Sequence, residues 1–252
     1  MLFVHGAYHA AWCWDDHFLD FFVRHGYRVL APSLRGHGGS PLSQRLNDCS
    51  IADYVQDICS VADALASAPV VIGHSMGGFI VQKYLEVRRA PAAVLVASAP
   101  PGGLNATALR TAAAHPVKTL RAALGRNMFA VVESPRLARE AFFTPATPEL
   151  IVSRCRERLQ QESHRALSVD VTRGEMVRTE LIDAPMLVLG ALWDGMLSLR
   201  QVSATARAYQ TTATFFAMGH DMMLEPGWAA VAAHIDAWLT RNLERPGPHT
   251  TG

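Results

Sequence analysis

Residues 70–79 read VVIGHSMGGF and place one serine, Ser75, between an apolar run and a glycine-rich stretch. The pattern Gly73-x-Ser75-x-Gly77 follows a predicted strand and precedes a predicted helix. A turn this sharp needs residues without a β-carbon two positions before and two positions after the serine. It also holds the serine in a strained conformation with its hydroxyl exposed. We therefore predict that Ser75 is a nucleophile at a strand-to-helix elbow.

Strands and helices alternate on both sides of this turn. The predicted strands are 2–5, 27–34, 69–75, 92–99, 184–191 and 213–219. The predicted helices between them are 14–25, 50–65, 77–88, 199–209 and 226–242. This alternation is typical of an α/β fold with a mostly parallel central sheet and helices on both faces.

The alternation stops between Pro100 and Asp183, where no β-branched run occurs. Prolines there separate three helical candidates, at 107–126, 135–143 and 148–167. We interpret the segment 100–183 as a helical cap inserted into a core formed by 1–99 and 184–243. The last residues, 244–252, are expected to be a disordered tail.

A serine nucleophile needs a base and an orienting acid, which in this topology follow later strands. His220 comes directly after the last predicted strand, and Asp194 follows the strand before it. Asp183 precedes that strand and so lies at the wrong end of the sheet. Asp221 adjoins His220 and points elsewhere if the imidazole points inward. The sequence therefore predicts the catalytic set Ser75, Asp194 and His220.

Acyl transfer develops an oxyanion that backbone N–H groups stabilise. One donor is predicted at Met76, at the start of the helix after the nucleophile. The other is predicted at Ala7, in the loop after the first strand. The expected pocket wall contains Tyr8, Met76, Met128, Phe129 and Leu197.

Composition limits the class of partner. Lys and Arg number 23 and Asp and Glu number 22, without a basic run or an acidic tail. This balance indicates neither nucleic acid nor an anionic membrane surface as a partner. No apolar stretch reaches the length of a membrane span. A small, mostly neutral ester-like molecule is the expected partner, bound by a monomer or a homodimer.

The four cysteines and the first residues predict a location. Cys13, Cys49, Cys59 and Cys155 have spacings that fit neither a zinc site nor a dense disulfide framework. The start MLFVHGAYHA lacks the basic and apolar regions of a signal peptide. Both observations predict a cytoplasmic protein with reduced thiols.

The motifs together resemble the α/β-hydrolase superfamily over essentially the whole chain. The elbow at 73–78 matches, as do GYRVLAPSLRGHGGS at 26–40 and GHDMMLEPGW at 219–228. The segment HGAYHAAWCW at 5–14 resembles the oxyanion segment of the branch with plant methylesterases and hydroxynitrile lyases. The resemblance implies hydrolysis of a carboxyl ester, thioester or lactone through a serine acyl-enzyme, with no metal or organic cofactor.

Several positions depart from that pattern. The chain starts inside what would be the family's third strand, so the edge strands are absent or the true start lies upstream. Ser33 replaces an aspartate that many relatives carry. Asp221 stands where hydroxynitrile lyases place a lysine, which argues against cyanohydrin cleavage. Ser75 excludes the chemistry of relatives with an aspartate nucleophile, which open epoxides or remove halides.

The sequence thus predicts a carboxyl-ester hydrolase for small, mainly apolar substrates. Two alternatives remain open at this point. One is a non-hydrolytic biosynthetic enzyme, such as a cyclase, a lyase or an acyltransferase. The other is a small-molecule binding protein on the same scaffold.

Overall fold

The computed structural model describes residues 1–174 and 176–243, so the predicted tail at 244–252 lies outside the described residues. Five parallel strands form one sheet, in the order in which they follow one another along the chain. Every residue of the first four strands is buried, as expected for strands covered on both faces. The predicted α/β architecture is confirmed. The strands are β1 (Leu2–Val4), β2 (Val71–His74), β3 (Ala93–Val96), β4 (Met186–Ala191) and β5 (Ala213–Phe216).

Helices of the described residues separate and follow these strands. Outside the β3 to β4 connection they are α1 (Trp12–Asp15), α2 (Phe18–Arg24), α3 (Ile51–Asp63), α4 (Met76–Leu85), α10 (Leu199–Ala208) and α11 (Trp228–Leu243). Between β3 and β4 lie α5 (Asn105–Ala114), α6 (Pro116–Gly125), α7 (Pro135–Phe142), α8 (Glu149–Arg158) and α9 (Val171–Arg173). We call the segment from α5 to α9 the helical insertion. No described helix is both long and apolar enough to cross a bilayer.

Local sequence signals explain where several helices begin. The Ser50 hydroxyl accepts the Asp53 N–H, while the Asp53 carboxylate accepts the Ser50 N–H at 2.8 Å. Ser198 and Gln201 form the same reciprocal cap at the start of α10. Such caps satisfy N–H groups that have no partner within the helix, so they fix these starts in the sequence itself.

The predicted strand at 27–34 is wrong, because this segment contributes only a single bridge between Leu30 and Leu2. Pro32 has no N–H to donate to a ladder. The Leu34 N–H donates instead to the ring Nε2 of His5, at 3.0 Å. A side chain therefore replaces the strand partner that a longer ladder would need.

Two of the predicted long helices are each divided, and a third ends early. The predicted helix 14–25 is split at His17, whose backbone leaves the helical region with φ −148°. The predicted helix 107–126 is split at His115, because Pro116 starts a new helix. The predicted helix 148–167 ends at Arg158, and a separate π-helical segment covers Arg165–Asp170.

The strand register brings four loops to one edge of the sheet. Val4 pairs with Gly73, and Ala191 pairs with Phe216. The carboxyl ends of β1, β2, β4 and β5 therefore point to the same side. Polar groups that follow these strands can meet there without any support from the surface helices.

Candidate active site

The turn from β2 to α4 has the conformation that its glycines predict. Ser75 lies between the two elements with φ 53° and ψ −120°, a strained backbone for a residue with a side chain. A β-carbon on Gly73 would lie 2.5 Å from the Gly77 carbonyl oxygen. A β-carbon on Gly77 would overlap the carbonyl oxygens of Val4 and His5. The elbow is therefore packed directly on the backbone of β1.

Gly77→Ala should destabilise the protein by about 2 kcal/mol or more, because backbone oxygens cannot move aside as a flexible side chain can. Urea denaturation followed by circular dichroism measures this loss. Gly39→Ala is the matched control, since no atom lies within 4 Å of the position its β-carbon would take. Equal stability of the two variants would contradict the tight contact between the elbow and β1.

His220 and Asp194 meet at the carboxyl edge of the sheet. The imidazole Nδ1 of His220 lies 2.8 Å from Oδ2 of Asp194, and both side chains are almost fully buried. The other oxygen of Asp194 accepts the backbone N–H groups of Met196 at 2.7 Å and Leu197 at 2.8 Å. The carboxylate is thus held in place and makes Nδ1 the donor. Nε2 is then the nitrogen that can take up a proton.

Two of the histidines that share the cavity wall with Ser75, His220 and His74, differ in their electrostatics. Burial acts to lower the pKa of His220, but the charge and the hydrogen bond of Asp194 outweigh it, so the pKa is raised overall. Burial, followed by the neighbouring charge of His220, lowers the pKa of His74 to about 3. His74 is therefore uncharged at neutral pH, and its Nε2–H donates to the His220 carbonyl at 3.1 Å. His220 is the basic imidazole of the pair.

The backbone N–H groups of Ala7 and Met76 are available as hydrogen-bond donors. Neither donates to a backbone acceptor among the described residues. The next residue, Tyr8, has φ 69° and is held on both sides by the helical insertion. Its N–H donates to the Glu162 carboxylate at 3.4 Å, and its carbonyl accepts the Gln160 N–H at 2.8 Å. The insertion therefore fixes the loop that carries the Ala7 N–H.

One cavity joins these groups. It is bordered by residues from the elbow, the loop after β1, the loops after β4 and β5, and the helical insertion. Six residues that the sequence assigns to the site lie in its wall: Ala7, Tyr8, Ser75, Met76, Leu197 and His220. Asp194 lies behind His220, as its hydrogen bond requires.

Met128 and Phe129, which the sequence analysis expected in the pocket wall, are not among the residues that line this cavity. The Ser168 hydroxyl lies 3.1 Å from the Met128 sulfur. The Arg156 guanidinium lies 5.1 Å from the centre of the Phe129 ring. Both side chains therefore pack within the insertion, where sequence periodicity could not locate them.

Several residues of the cavity wall escaped the sequence analysis. Phe142 and Leu167 come from the insertion, and Met196 follows Asp194 in the loop after β4. Of these three residues, only Met196 had a signal in the sequence, which is its position next to Leu197. Glu162 also escaped notice, although it is fully buried and accepts the Tyr54 hydroxyl at 2.8 Å.

A cluster of metal-ligating side chains lies beside the cavity. The donor atoms of His9, Cys155 and Asp221 lie within 4.8 Å of one another, and all three side chains are buried. No other group of this kind is found in the part of the chain that the structure describes. Asp221 thus turns toward His9, with 3.0 Å between Oδ2 and Nε2, and leaves Asp194 as the partner of His220.

Comparison with known proteins identifies the family. The profile of the alpha/beta hydrolase family matches residues 1–234. This chain belongs to the alpha/beta hydrolase family. The match includes both the elbow and the histidine loop of this chain.

Curated relatives match a shorter part of this chain. A non-heme chloroperoxidase from Streptomyces lividans is 40% identical over 105 residues, which is 40% of this chain and 37% of the relative. A norfluorocurarine synthase 2 from Strychnos is 33% identical over 106 residues, or 39% of this chain and 38% of the relative. The match spans less than two fifths of the length of these relatives.

Solved structures share the fold along nearly the whole chain. A methylesterase from Arabidopsis superposes with a TM-score of 0.70 at 16% identity, covering 95% of this chain and 98% of its own. A monoacylglycerol lipase from Paleococcus ferrophilus superposes with a TM-score of 0.72 at 20% identity, covering 96% and 93%. At such identities the similarity shows the hydrolase fold alone.

Proposed function

We propose that this α/β hydrolase cleaves carboxyl esters of small, mainly apolar substrates through an acyl-enzyme on Ser75. The observation that carries the proposal is the 2.8 Å hydrogen bond between His220 and Asp194, with His220 and Ser75 in the wall of one cavity. Thioesters and lactones present the same electrophilic acyl carbon, so they belong to the same proposed substrate class.

The first half of the proposed reaction forms the acyl-enzyme. The Ser75 oxygen attacks the acyl carbon while His220 Nε2 takes the hydroxyl proton. The carbonyl oxygen becomes an oxyanion, and the N–H groups of Ala7 and Met76 stabilise it. The tetrahedral intermediate then collapses, the bond to the leaving alcohol breaks, and the imidazolium protonates that alcohol.

The second half releases the acid. A water molecule attacks the acyl carbon and gives its proton to His220 Nε2. The Ser75 oxygen leaves as the acyl bond breaks, and it regains the proton from the imidazolium. Asp194 stays ionised throughout, since its task is to orient the imidazole and stabilise its positive form.

The cavity favours a short acyl group. Its volume of about 30 Å³ has room for about two water molecules, since one water needs at least about 10–15 Å³ on this scale. We propose that the segment 100–183 acts as a cap, because Leu104, Thr107, Phe142 and Leu167 close the cavity from that side. Longer acyl chains would require the cap helices to move.

Hydrolysis of p-nitrophenyl acetate, butyrate, hexanoate and octanoate tests the proposal. The expected kcat/KM is highest for acetate or butyrate and falls for the longer esters. A phenyl thioacetate and a small lactone extend the comparison to the other acyl classes. A folded protein that turns over none of these compounds would contradict the hydrolase proposal.

Leu167→Ala should shift this preference toward longer acyl chains. Removing its side chain widens the cavity, and one methylene in an apolar pocket commonly changes discrimination by about 10-fold or more. The ratio of kcat/KM for hexanoate over acetate should therefore rise at least ~10-fold. Leu109→Ala is the control, because that leucine on α5 is 73% exposed and outside the cavity wall. An unchanged ratio in Leu167→Ala would place the acyl site elsewhere.

The curated relatives favour a second candidate function. Two of the relatives are named non-heme chloroperoxidases. Hydrogen peroxide can attack an acyl-enzyme in place of water, which releases a peroxyacid and returns the proton to Ser75 through His220. Adding peroxide to the acetate assay and measuring peracetic acid distinguishes this reaction from hydrolysis.

The two non-hydrolytic alternatives are separated by the reactivity of Ser75. A cyclase, lyase or acyltransferase would retain a reactive serine but show little turnover with water. A small-molecule binding protein would show neither a reactive serine nor turnover.

We propose a cytoplasmic location and a monomer or homodimer. The location is supported by the free thiols of Cys13, Cys49, Cys59 and Cys155.

A further inference from the structure

Three segments that are distant in sequence meet beside the active site through polar side chains. His9 belongs to the loop after β1, Cys155 to helix α8 of the insertion, and Asp221 to the loop after β5. All three side chains are at most 3% exposed. The proposed reaction uses none of them, so their convergence needs a separate explanation.

Their separations fit the coordination of a small divalent cation. His9 Nε2 lies 3.0 Å from Asp221 Oδ2, and Cys155 Sγ lies 4.0 Å from His9 Nε2 and 3.7 Å from Asp221 Oδ2. Tetrahedral zinc with ordinary bond lengths places an N and an O ligand about 3.3 Å apart and a sulfur about 3.5 Å from either. Each pair is thus within about half an ångström of the spacing that zinc requires.

The hydrogen bond on the other side of His9 orients its free lone pair toward this cluster. His9 Nδ1 lies 2.8 Å from the Ala7 carbonyl oxygen, which can only accept, so Nδ1 carries the hydrogen. In the neutral ring, Nε2 then directs a lone pair at the Asp221 carboxylate. Metal-binding histidines commonly have this arrangement, with the distal nitrogen donating to a backbone carbonyl.

A proton alone leaves part of the cluster unsatisfied. It can link His9 Nε2 to Asp221 Oδ2, but the other carboxylate oxygen, Oδ1, has no hydrogen-bond partner among the described residues. The nearest polar atom recorded for it is His74 Nε2, at 3.7 Å. A divalent cation would instead use one nitrogen, one sulfur and one oxygen lone pair at once, and it would neutralise the charge of the carboxylate.

We propose that His9 Nε2, Cys155 Sγ and Asp221 Oδ2 bind one zinc ion, with the fourth position open to water. Mixed nitrogen, sulfur and oxygen ligands suit Zn²⁺ better than Mg²⁺ or Ca²⁺. Binding releases the thiol proton of Cys155. A surface cleft lined by Trp12, Arg158 and Cys155 itself offers the ion a path to the cluster. The ion links the loop of Ala7, the insertion and the histidine loop without touching the reacting atoms.

Titration of the chelator-treated full chain with Zn²⁺ and Co²⁺ tests this site. The expected result is one ion bound per chain, with a thiolate-to-cobalt charge-transfer band in the near ultraviolet. Zn²⁺ at 100 times its Kd should raise Tm by about 5–10 °C. Cys155→Ser should lose the cobalt band and the rise in Tm. Cys59→Ser, a half-buried cysteine on α3, should keep both.

Two results would overturn the proposal. One is binding of far less than one ion per wild-type chain. This result would rule out the zinc site even if Cys155→Ser does not fold. The other is binding of equal strength, without a thiolate band, in wild type and Cys155→Ser. That second outcome would assign the ion to surface histidines, and the three buried side chains would then be a hydrogen-bonded cluster only.

Discussion

Ser75→Ala should lower kcat for p-nitrophenyl acetate by at least about 10⁴-fold, because it removes the atom that forms the acyl bond. The residual rate reflects substrate binding and the Ala7 and Met76 donors alone. Steady-state kinetics with wild type and variant at matched concentration measures the loss. The variant should still fold, because alanine is smaller than serine and fits the strained backbone at residue 75 at least as well.

Ser60→Ala provides the control for this variant. Ser60 is an exposed residue on α3, where its hydroxyl donates to the Gln56 carbonyl at 2.9 Å. Its removal should leave kcat and KM unchanged. If Ser75→Ala retained more than about one tenth of the wild-type kcat, hydrolysis would have to proceed without a covalent step on this serine.

Asp194→Asn should lower kcat by about 10³ to 10⁴-fold, with a smaller effect on KM. The amide keeps an oxygen for the N–H groups of Met196 and Leu197, and it then presents an NH₂ group to His220 Nδ1. Such a group stabilises the wrong tautomer and cannot stabilise the imidazolium. Kinetics with p-nitrophenyl acetate, together with the melting temperature, separates this effect from a loss of folding.

Asp183→Asn is the matched control, because Asp183 precedes β4 while Asp194 follows it. The two carboxylates therefore lie at opposite ends of one strand. Asp183→Asn should retain full activity. Comparable losses in both variants would show that the acid was assigned to the wrong end of the sheet.

The sequence predicts those parts of the fold whose signals are local. The glycines at 73 and 77 fix the elbow, and the caps at Ser50 and Ser198 fix two helix starts. The segment 27–34 shows the limit of such reasoning. Its composition favours a strand, but pairing is decided by Pro32 and by the His5 ring, which takes the Leu34 N–H.

The same distinction holds for the candidate site, where some features follow from local sequence signals and others do not. The proximity of His220 and Asp194 could be expected from the sequence, because each follows a strand and the register of a parallel sheet brings strand ends together. Leu167 and Glu162 were not predictable, because their positions depend on how the insertion folds back over the sheet. Cys155 has no partner within the short spacings by which zinc sites are recognised in sequence.

Reaction with a fluorophosphonate probe, followed by intact-mass and peptide-mass measurement, tests most directly whether Ser75 is an activated nucleophile. The serine oxygen displaces fluoride from phosphorus, so an activated serine gains a stable phosphonyl group. We expect one adduct per chain, located on Ser75, and strongly slowed labelling in Asp194→Asn. An absent adduct in the folded protein, or an adduct on another residue, would contradict a serine hydrolase mechanism at this site.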